Sequence, residues 1–225
     1  IGFIRPEHLE AMKAQAVAAR TYAVRNLNRR RDLGFDLFAS SHDQVYGGRD
    51  AETPLTDRAV LETEGEILVH DGTLVEAFYH STCGGATSSI ADVWTGDRPY
   101  LCGVSDALGD SFACAASRYF AWSEIYEGET LARLAAPGET IGLEILERDA
   151  AGRVLRLAIT RGESVVVARG DAIRRILPRP ADGPLRSILF DVVVESGRVR
   201  IDGRGWGHGL GMCQMGALGR ARAGW

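Results

Sequence analysis

Lysine is almost absent from this chain of 225 residues: among 26 lysine and arginine side chains, Lys13 is the single lysine. A genomic base-composition effect is the simplest cause of the arginine bias, which makes the one exception informative. The formal net charge of −4 excludes the basic footprint of a nucleic-acid or anionic-lipid partner. No apolar run approaches the roughly 18–20 residues that span a bilayer. We therefore expect a globular protein with no nucleic-acid partner.

The chain also lacks CxxC pairs, which argues against a zinc ribbon. Its four cysteines are widely spaced: Cys83, Cys102, Cys114 and Cys213. An even number of such cysteines fits two disulfides in an oxidising compartment. Because His80 lies three residues before Cys83, a mixed histidine and cysteine metal site is an alternative, as are inert buried thiols. A nucleophilic Cys83 paired with His80 or His208 is a further alternative.

The sequence starts at Ile1 without a methionine and stops at Trp225. We expect both ends to be truncated, with any signal or membrane anchor outside this sequence. Its length fits one large domain or two small ones, and we predict a single domain, 1–225, with a possible β-rich subregion at 138–205. We expect a monomer.

The first part of the chain predicts one long helix, from Pro6 to about Arg29. Six residues form its predicted apolar face: Leu9, Met12, Ala16, Ala19, Ala23 and Leu27. Polar side chains flank this face, with Lys13 and Arg20 on one side and Gln15 and Tyr22 on the other. Without further information these are solvated flanking groups, and a pair between Glu10 and Lys13 adds only a few tenths of a kcal/mol.

The rest of the chain predicts mostly antiparallel strands. A short helix is expected at 56–64, and a hairpin follows that turns at Asp71-Gly72. Residues 86–121 predict an irregular segment, and residues 123–136 a short helical pair. A meander of three strands, a short helix after Asp171 and two further strands complete the pattern. The predicted fold class is α+β, with antiparallel strands and hairpins, one long packed N-terminal helix and short helices.

Glycines mark three places where backbone can approach a ligand: Tyr46-Gly47-Gly48, the turn His80–Cys83 with the two glycines that follow it, and the loop GWGHGLG around His208. GWGHGLG lacks the GK[ST] ending of a phosphate loop, which argues against a nucleotide site. Taken alone, both histidines also fit ordinary structural roles.

Four motifs nevertheless occur together: EAMKAQAVAARTYAV, DQVYGG, EAFYHSTCGGATSS followed by VW and PYL, and GWGHGLGMCQMGA. In this order, and with LRSILFDVVVESG before the last, they resemble the SpoIID/LytB domain family over residues 9–219. The resemblance implies an extracytoplasmic protein that acts on peptidoglycan glycan strands. Sporulation members are lytic transglycosylases that cut strands stripped of peptide stems by an amidase. LytB-type members are associated with enhancing amidase activity, so the alternative is a non-catalytic glycan-binding module with a cell-wall amidase as partner.

A lytic transglycosylase needs one carboxylic acid, which protonates the glycosidic oxygen and then accepts a proton from the sugar's C6 hydroxyl. The family's acid resembles the first residue of a Glu-Met-Pro segment shortly before the helix. By direct alignment that position falls at Gly2, or just ahead of Ile1. Within this sequence the nearby substitutes are Glu10 and Glu7, and Glu10 is better placed because it lies beside Lys13 and Arg20.

The resemblance also implies residues that contact the glycan: Lys13, Gln15, Arg20, Tyr46, His80, Ser81 and His208. A lysine ammonium offers sugar hydroxyls a compact donor with three protons, unlike the flat fork of arginine. No cofactor is expected to be required. Zinc is an alternative, because some sporulation members bind it through histidine and cysteine; here His80 and Cys83 are the candidates, completed by Cys114 or Cys213. The competing interpretation pairs Cys83 with Cys213 and Cys102 with Cys114 as disulfides.

Overall fold

The structure, a computed structural model, describes residues 5–94, 96–134, 141–195 and 197–225. The chain divides into two compact units. Residues 5–79 and 217–225 form the unit that we call the helical unit, and the described residues of 80–216 form the sheet unit. The assignment of 1–225 to a single domain stays a prediction.

The long helix of the helical unit begins with a 3-10 turn at Pro6–His8 and continues as α1, Leu9–Arg25. Helix α1 ends at Arg25, four residues before the predicted end at about Arg29. Its buried residues are Ala11, Met12, Ala18, Thr21 and Tyr22, so the predicted apolar face is correct for Met12 and wrong in its centre. The buried face is turned toward Tyr22 because the tyrosine ring is buried there and its hydroxyl donates to Asp43 at 3.0 Å. Leu27 lies beyond the helix and is 55% exposed.

The predicted helix at 56–64 is confirmed as α2, Pro54–Glu62. Thr53 caps it, accepting a hydrogen bond from the backbone of Thr56 at 3.3 Å. The hairpin is also confirmed, with β1 at Val69–His70 and β2 at Thr73–Leu74. Asp71 and Gly72 both have positive φ, 48° and 73°, as a two-residue hairpin turn of this kind requires. Further 3-10 turns lie at Arg31–Leu33 and Arg49–Ala51.

Several short elements surround the cysteines of the sheet unit. They are β3 (Tyr79–His80, at the boundary of the two units), α3 (Ile90–Val93), β4 (Ala107–Leu108) and β5 (Ser111–Phe112). Strands β4 and β5 form a hairpin, and the surrounding backbone is irregular, as predicted for 86–121.

Residues 121–127 form strand β6, Ala121–Glu127, and the predicted helical pair at 123–136 is therefore wrong. Burial alternates along β6, with Glu124 and Tyr126 facing inward. The strand pairs with β11, Arg198–Arg204, which also pairs with β10, Phe190–Glu195. This pairing with a distant segment overrides the local helical pattern. In the described part of 123–136 the helical portion is a 3-10 turn at Leu131–Arg133.

The predicted three-strand meander is confirmed as the antiparallel sheet β7 (Ile141–Arg148), β8 (Val154–Arg161) and β9 (Ser164–Arg169). Its central strand contributes fully buried core residues: Val154, Leu157 and Ile159. The helix predicted after Asp171 is α4, Ala172–Ile176.

The chain ends with strand β12, Met212–Cys213, and helix α5, Gln214–Arg222. The α+β fold class, with antiparallel strands, hairpins and one long N-terminal helix, is confirmed. Among the helices of the described residues, none has the length and apolar content needed to cross a membrane.

Candidate functional site

Lys13 lies between two carboxylates in the helical unit. Its Nζ is 2.8 Å from Oε1 of Glu10 and 2.7 Å from Oε2 of Glu62, and Glu62 also pairs with Arg58 at 2.5 Å. Hydrogen bonds to Glu10 and then Glu62 raise the pKa of Lys13, while Lys13 and then Arg58 lower the pKa of Glu62. Glu62 was missed by the sequence analysis, because its spacing of four from Arg58 indicates only a helix-surface pair. One ammonium thus holds carboxylates from α1 and α2 together.

The two predicted acids differ in their contacts. The Glu10 side chain is 59% exposed beside Lys13, and that of Glu7 is 48% exposed with Arg5 at 3.8 Å. The position where the family's acid aligns, Gly2 or ahead of Ile1, lies outside the described residues. The catalytic roles of Glu10 and Glu7 stay predictions.

Arg20 makes structural contacts. Its guanidinium donates to the carbonyls of Thr63 at 2.6 Å, Glu66 at 2.9 Å and Val60 at 3.3 Å, and so satisfies the carboxyl end of α2. Because these bonds occupy the guanidinium, the structure gives Arg20 a supporting function, and its predicted contact with glycan stays a prediction.

The other predicted binding residues of this unit lie in polar surroundings. Gln15 interacts with the hydroxyl of Tyr79, which donates to Oε1 of Gln44 at 2.7 Å. Tyr46 is 56% exposed, and its hydroxyl donates to Oε1 of Glu52 at 2.9 Å. The exposed ring of Tyr46 is the more accessible of the two predicted contacts.

Asp43, in the motif DQVYGG, is the centre of a buried network in the helical unit. Its side chain is fully buried and accepts from the backbone of Phe38 at 2.9 Å and from the hydroxyl of Tyr22 at 3.0 Å. Arg30 pairs with it at 2.9 Å. Burial alone raises the pKa of Asp43, but these hydrogen bonds outweigh it and lower the pKa below its ordinary value. The motif therefore fixes the loop after α1.

Asp43→Asn is expected to destabilise the protein at pH 7, by on the order of 1–3 kcal/mol, because it removes hydrogen bonds to a charged group. A carboxyl with a lowered pKa contributes stability that is complete above its unfolded pKa of about 3.9 and is lost as the pH falls through the folded pKa. The variant and the parent are therefore expected to converge as the pH falls below about 4. Urea unfolding from pH 7 to pH 2 measures this, and exposed Asp50→Asn is the control. A difference that is the same at every pH would contradict it.

His80 and His208 lie together in the sheet unit, with ring centroids 5.4 Å apart. His80 is 5% exposed, and its Nδ1 is 3.0 Å from the carbonyl of Leu210, so this nitrogen donates there. Burial, then His208, lowers the pKa of His80 well below its ordinary value. His208 is half-buried, and its ring lies 5.0 Å from that of Trp94. His208 is therefore the more exposed of the two histidines, and the predicted contacts of both with glycan stay predictions.

Ser81 and the glycine-rich loop fix the backbone around His80. The carbonyl of Ser81 accepts from the backbone of Met215 at 2.9 Å. A Cβ at Gly207 would lie 2.7 Å from Cβ of His80, and Gly207 has a positive φ of 114°. Glycine at this position lets the loop lie directly on His80.

Arg153 is buried in the sheet unit, with 1% exposure, and sequence analysis missed it. It donates to the carbonyls of Cys83 at 2.5 Å and Ala86 at 2.9 Å, and to Oγ of Ser88 at 3.1 Å. Ser88 in turn donates to Asp149, whose other oxygen accepts from the backbone of Arg153 at 2.7 Å. One arginine thus fixes the conformation of the HSTCGGATSS motif.

Three of the four cysteines meet in the sheet unit. Cys83, Cys114 and Cys213 are buried at 0%, 0% and 7% exposure, and Cys102 is exposed. All four are free thiols. The disulfide between Cys102 and Cys114 is therefore wrong, because Cys114 packs with Cys83 and Cys213. Cys83 and Cys213 are close together, but as thiols. Complete burial of Cys83 also argues against the nucleophile interpretation.

The predicted metal pair of His80 and Cys83 is not brought together as a ligand set, because the group of close donor atoms found among the described residues contains Cys83 but not His80. Instead Asp106 joins the cysteines: one carboxylate oxygen and the three sulfur atoms all lie within 4.8 Å of one another. Burial raises the pKa of Asp106 to about 6. Nothing in the local sequence separates Asp106 from the other acidic residues of its loop.

Two family models match the chain. The model described as Stage II sporulation protein matches residues 5–70, which contain Glu7, Glu10, Lys13 and Tyr46. The model of a domain of unknown function, DUF8618, matches residues 108–211, which contain His208.

Curated relatives match over most of the chain. Stage II sporulation protein D of Bacillus subtilis is 31% identical over 96% of this chain and 64% of its own length. An uncharacterized protein of Brachyspira hyodysenteriae is 30% identical over 95% of the chain and 56% of its own length. The amidase enhancer of Bacillus subtilis is 26% identical over 96% of the chain and 36% of its own length. The chain thus spans about one third to two thirds of the length of these relatives, and the matches support its assignment to the SpoIID/LytB family.

Proposed function

We propose that this domain acts on the bacterial cell wall and cleaves peptidoglycan glycan strands by lytic transglycosylation, with a 1,6-anhydro-muramic acid product. Assignment to the SpoIID/LytB family supports the cell-wall function. The observation that carries the choice of site is the network of Glu10, Lys13 and Glu62, within the segment that the Stage II sporulation protein model matches. It joins an exposed carboxyl group to a cation and a second carboxylate.

In the proposed reaction Glu10 is the general acid and base. Its carboxyl group donates a proton to the glycosidic oxygen, and the bond between that oxygen and C1 of the muramic acid breaks. The C6 hydroxyl of the same sugar attacks C1 and returns its proton to Glu10. The reaction consumes no water and needs no enzyme nucleophile, so one carboxyl group supports both steps.

Lys13 and Glu62 complete the proposed site. The general acid must carry its proton when the reaction starts. Glu10 and Glu62 share the ammonium of Lys13, so a bound strand that leaves Lys13 with Glu62 frees the Glu10 carboxyl group for the glycosidic oxygen. Lys13 and Arg58 keep Glu62 charged, so Glu62 is suited to stabilise positive charge that develops at C1.

Further contacts to the strand are assigned within each unit. Exposed Tyr46 in the helical unit, and the ring pair of His208 and Trp94 in the sheet unit, offer apolar faces and polar edges that suit sugar rings. We assign the protein to the outside of the cytoplasmic membrane, as a monomer, with peptide-stripped glycan strands as substrate and a cell-wall amidase as partner. No resident cofactor is needed for the chemistry.

Glu10→Gln is expected to reduce formation of anhydro-muropeptides by about 100- to 10,000-fold, the usual contribution of a general acid. The assay is mass spectrometry of peptide-free glycan strands incubated with the chain.

Lys13→Arg is expected to lower the rate of product formation while the thermal midpoint stays unchanged, because arginine's flat fork does not reproduce one ammonium between two carboxylates. Exposed Glu64→Gln is the matched control on the same unit.

Glu7→Gln separates the two predicted acids: loss of product in that variant alone would transfer the role to Glu7. If both variants retain full activity, the acid is neither residue, and the position to test lies ahead of Ile1, in a version that carries any residues encoded there. Strands that bind without being cut, by the parent and by that longer version, would contradict the lyase. That result would favour the module that enhances an amidase.

A further inference from the structure

We propose that Cys83, Asp106, Cys114 and Cys213 bind a structural zinc ion in the sheet unit. Their four ligand atoms lie within 4.8 Å of one another, and all four residues are buried. The proposal goes beyond the proposed function and does not depend on it, because none of these residues belongs to the network of Lys13.

The spacing of the sulfur atoms fits metal ligands. Sγ of Cys83 and Sγ of Cys114 are 3.5 Å apart. A disulfide needs about 2.05 Å. Two sulfurs on one tetrahedral zinc ion, each at about 2.3 Å, lie about 3.8 Å apart. The observed distance is close to the tetrahedral edge and far from a disulfide bond.

Backbone amides are directed at the ligand atoms as they are around a bound thiolate. Sγ of Cys213 accepts from the backbone of Cys83 at 3.1 Å and of Gly216 at 3.2 Å. The backbone of Cys114 donates to Oδ2 of Asp106 at 2.9 Å. Such bonds stabilise negative charge on the ligands and fix their orientation. The cluster therefore has a second layer of contacts as well as four donors.

Gly216 supplies the space that Asp106 needs. A Cβ at this position would lie 2.5 Å from Oδ1 of Asp106, so any larger residue would displace the carboxylate. Gly216 lies in the first turn of α5, where backbone amides also favour negative charge. The start of α5 is thus shaped around the carboxylate and Cys213.

The chemistry of the cluster suits a cation. Three cysteine sulfurs and one carboxylate lie within 4.8 Å of one another in a buried group. A divalent cation that prefers thiolates stabilises such donors as anions.

The ligand set indicates which metal the site binds and whether the site is structural or catalytic. Three thiolates and one carboxylate in a closed, buried tetrahedral group fit zinc, whereas magnesium and calcium prefer oxygen ligands. Four protein ligands leave no open position for water or substrate, so the site is structural. It joins the HSTCGG turn, the loop from Asp106 to Cys114 and the end of the GWGHGLG loop, and thereby holds the backbone around His208.

Metal analysis of the purified chain tests the proposal. The reduced protein, dialysed with zinc and then freed of unbound ions, is expected to contain one zinc per chain by inductively coupled plasma mass spectrometry. Cobalt in place of zinc is expected to give the strong visible bands of a tetrahedral site and near-ultraviolet thiolate charge transfer. Removing the metal with a chelator is expected to lower the thermal midpoint.

Variants locate the site. Cys114→Ser and Cys213→Ser are expected to lose the bound metal, Asp106→Asn to bind it more weakly, and exposed Cys102→Ser to retain one equivalent. If the cluster variants fail to fold, the cobalt spectrum and thiol protection of the parent decide: three of its four thiols should resist alkylation with metal and react after chelation. Absence of metal from a folded, reduced parent overturns the proposal. So does a disulfide among the three buried cysteines in protein purified without reductant.

Discussion

Arg153→Met is expected to lower the free energy of unfolding by about 3–5 kcal/mol, the loss typical when a buried charged group is removed from its partners. Methionine fills a comparable volume, so the loss reports polar contacts rather than a cavity. The carbonyls of Cys83 and Ala86 lose their donor inside the protein, and Asp149 loses the cation that shares its network. Each unsatisfied buried group costs about 1–3 kcal/mol.

Urea unfolding at pH 7 measures this effect. The matched control is Arg200→Met, an exposed arginine of β11 that pairs within its own strand with Asp202 at 2.9 Å. Surface substitutions of this kind change stability by about 0.5 kcal/mol or less. Equal losses in the two variants would show that the buried guanidinium does not hold the HSTCGG turn.

Gly205→Ala is also expected to lower the free energy of unfolding by a large amount. Gly205 has a φ of 82°, and a Cβ there would lie 2.6 Å from the carbonyl oxygen of Thr82 and 3.1 Å from that of Cys83. Both obstacles are backbone atoms, which a side-chain rotation does not relieve. We expect the left-handed conformation of alanine to destabilise the protein by about 1–2 kcal/mol. Overpacking against the two carbonyl groups is expected to add about 1–3 kcal/mol to this loss.

Gly197→Ala separates these two contributions. Gly197 has a similar φ of 75° and no atom within 4 Å of its Cβ position, so its substitution measures the conformational part alone. The difference between the two variants in denaturant unfolding is the cost of the close approach. If that difference is zero, the contact between the GWGHGLG loop and the HSTCGG turn is looser than the structure indicates.

Local chemistry explains which elements were predictable. The hairpin at Asp71-Gly72 follows from two residues that tolerate positive φ, and the meander of β7, β8 and β9 follows from short strands joined by tight turns. Strand β6 was not predictable in this way, since its partner β11 lies more than 70 residues further along the chain. The buried face of α1 depended likewise on Asp43, a partner outside the helix.

The same distinction applies to the candidate sites: contacts within one element were predictable, and contacts between distant segments were not. Lys13 and Glu10 are neighbours on one helix, so their pair was visible in the spacing, whereas Glu62 comes from another helix. The cysteine cluster joins residues 31 and 130 positions apart, and their number alone does not distinguish disulfides from a metal site. Asp106 had no local signal, because its role comes from the space left by Gly216.

The scarcity of lysine gives the chain an unusual chemical property. Reagents that acylate side-chain amines find one such group in the sequence, and it is Lys13. Its ammonium is held by Glu10 and Glu62 and only 24% of the side chain is exposed. An amine-reactive label therefore modifies side chains at a single position, Lys13 of α1. The labelling rate reports changes in the contacts of Lys13 with Glu10 and Glu62, because these contacts limit the exposure of the amine.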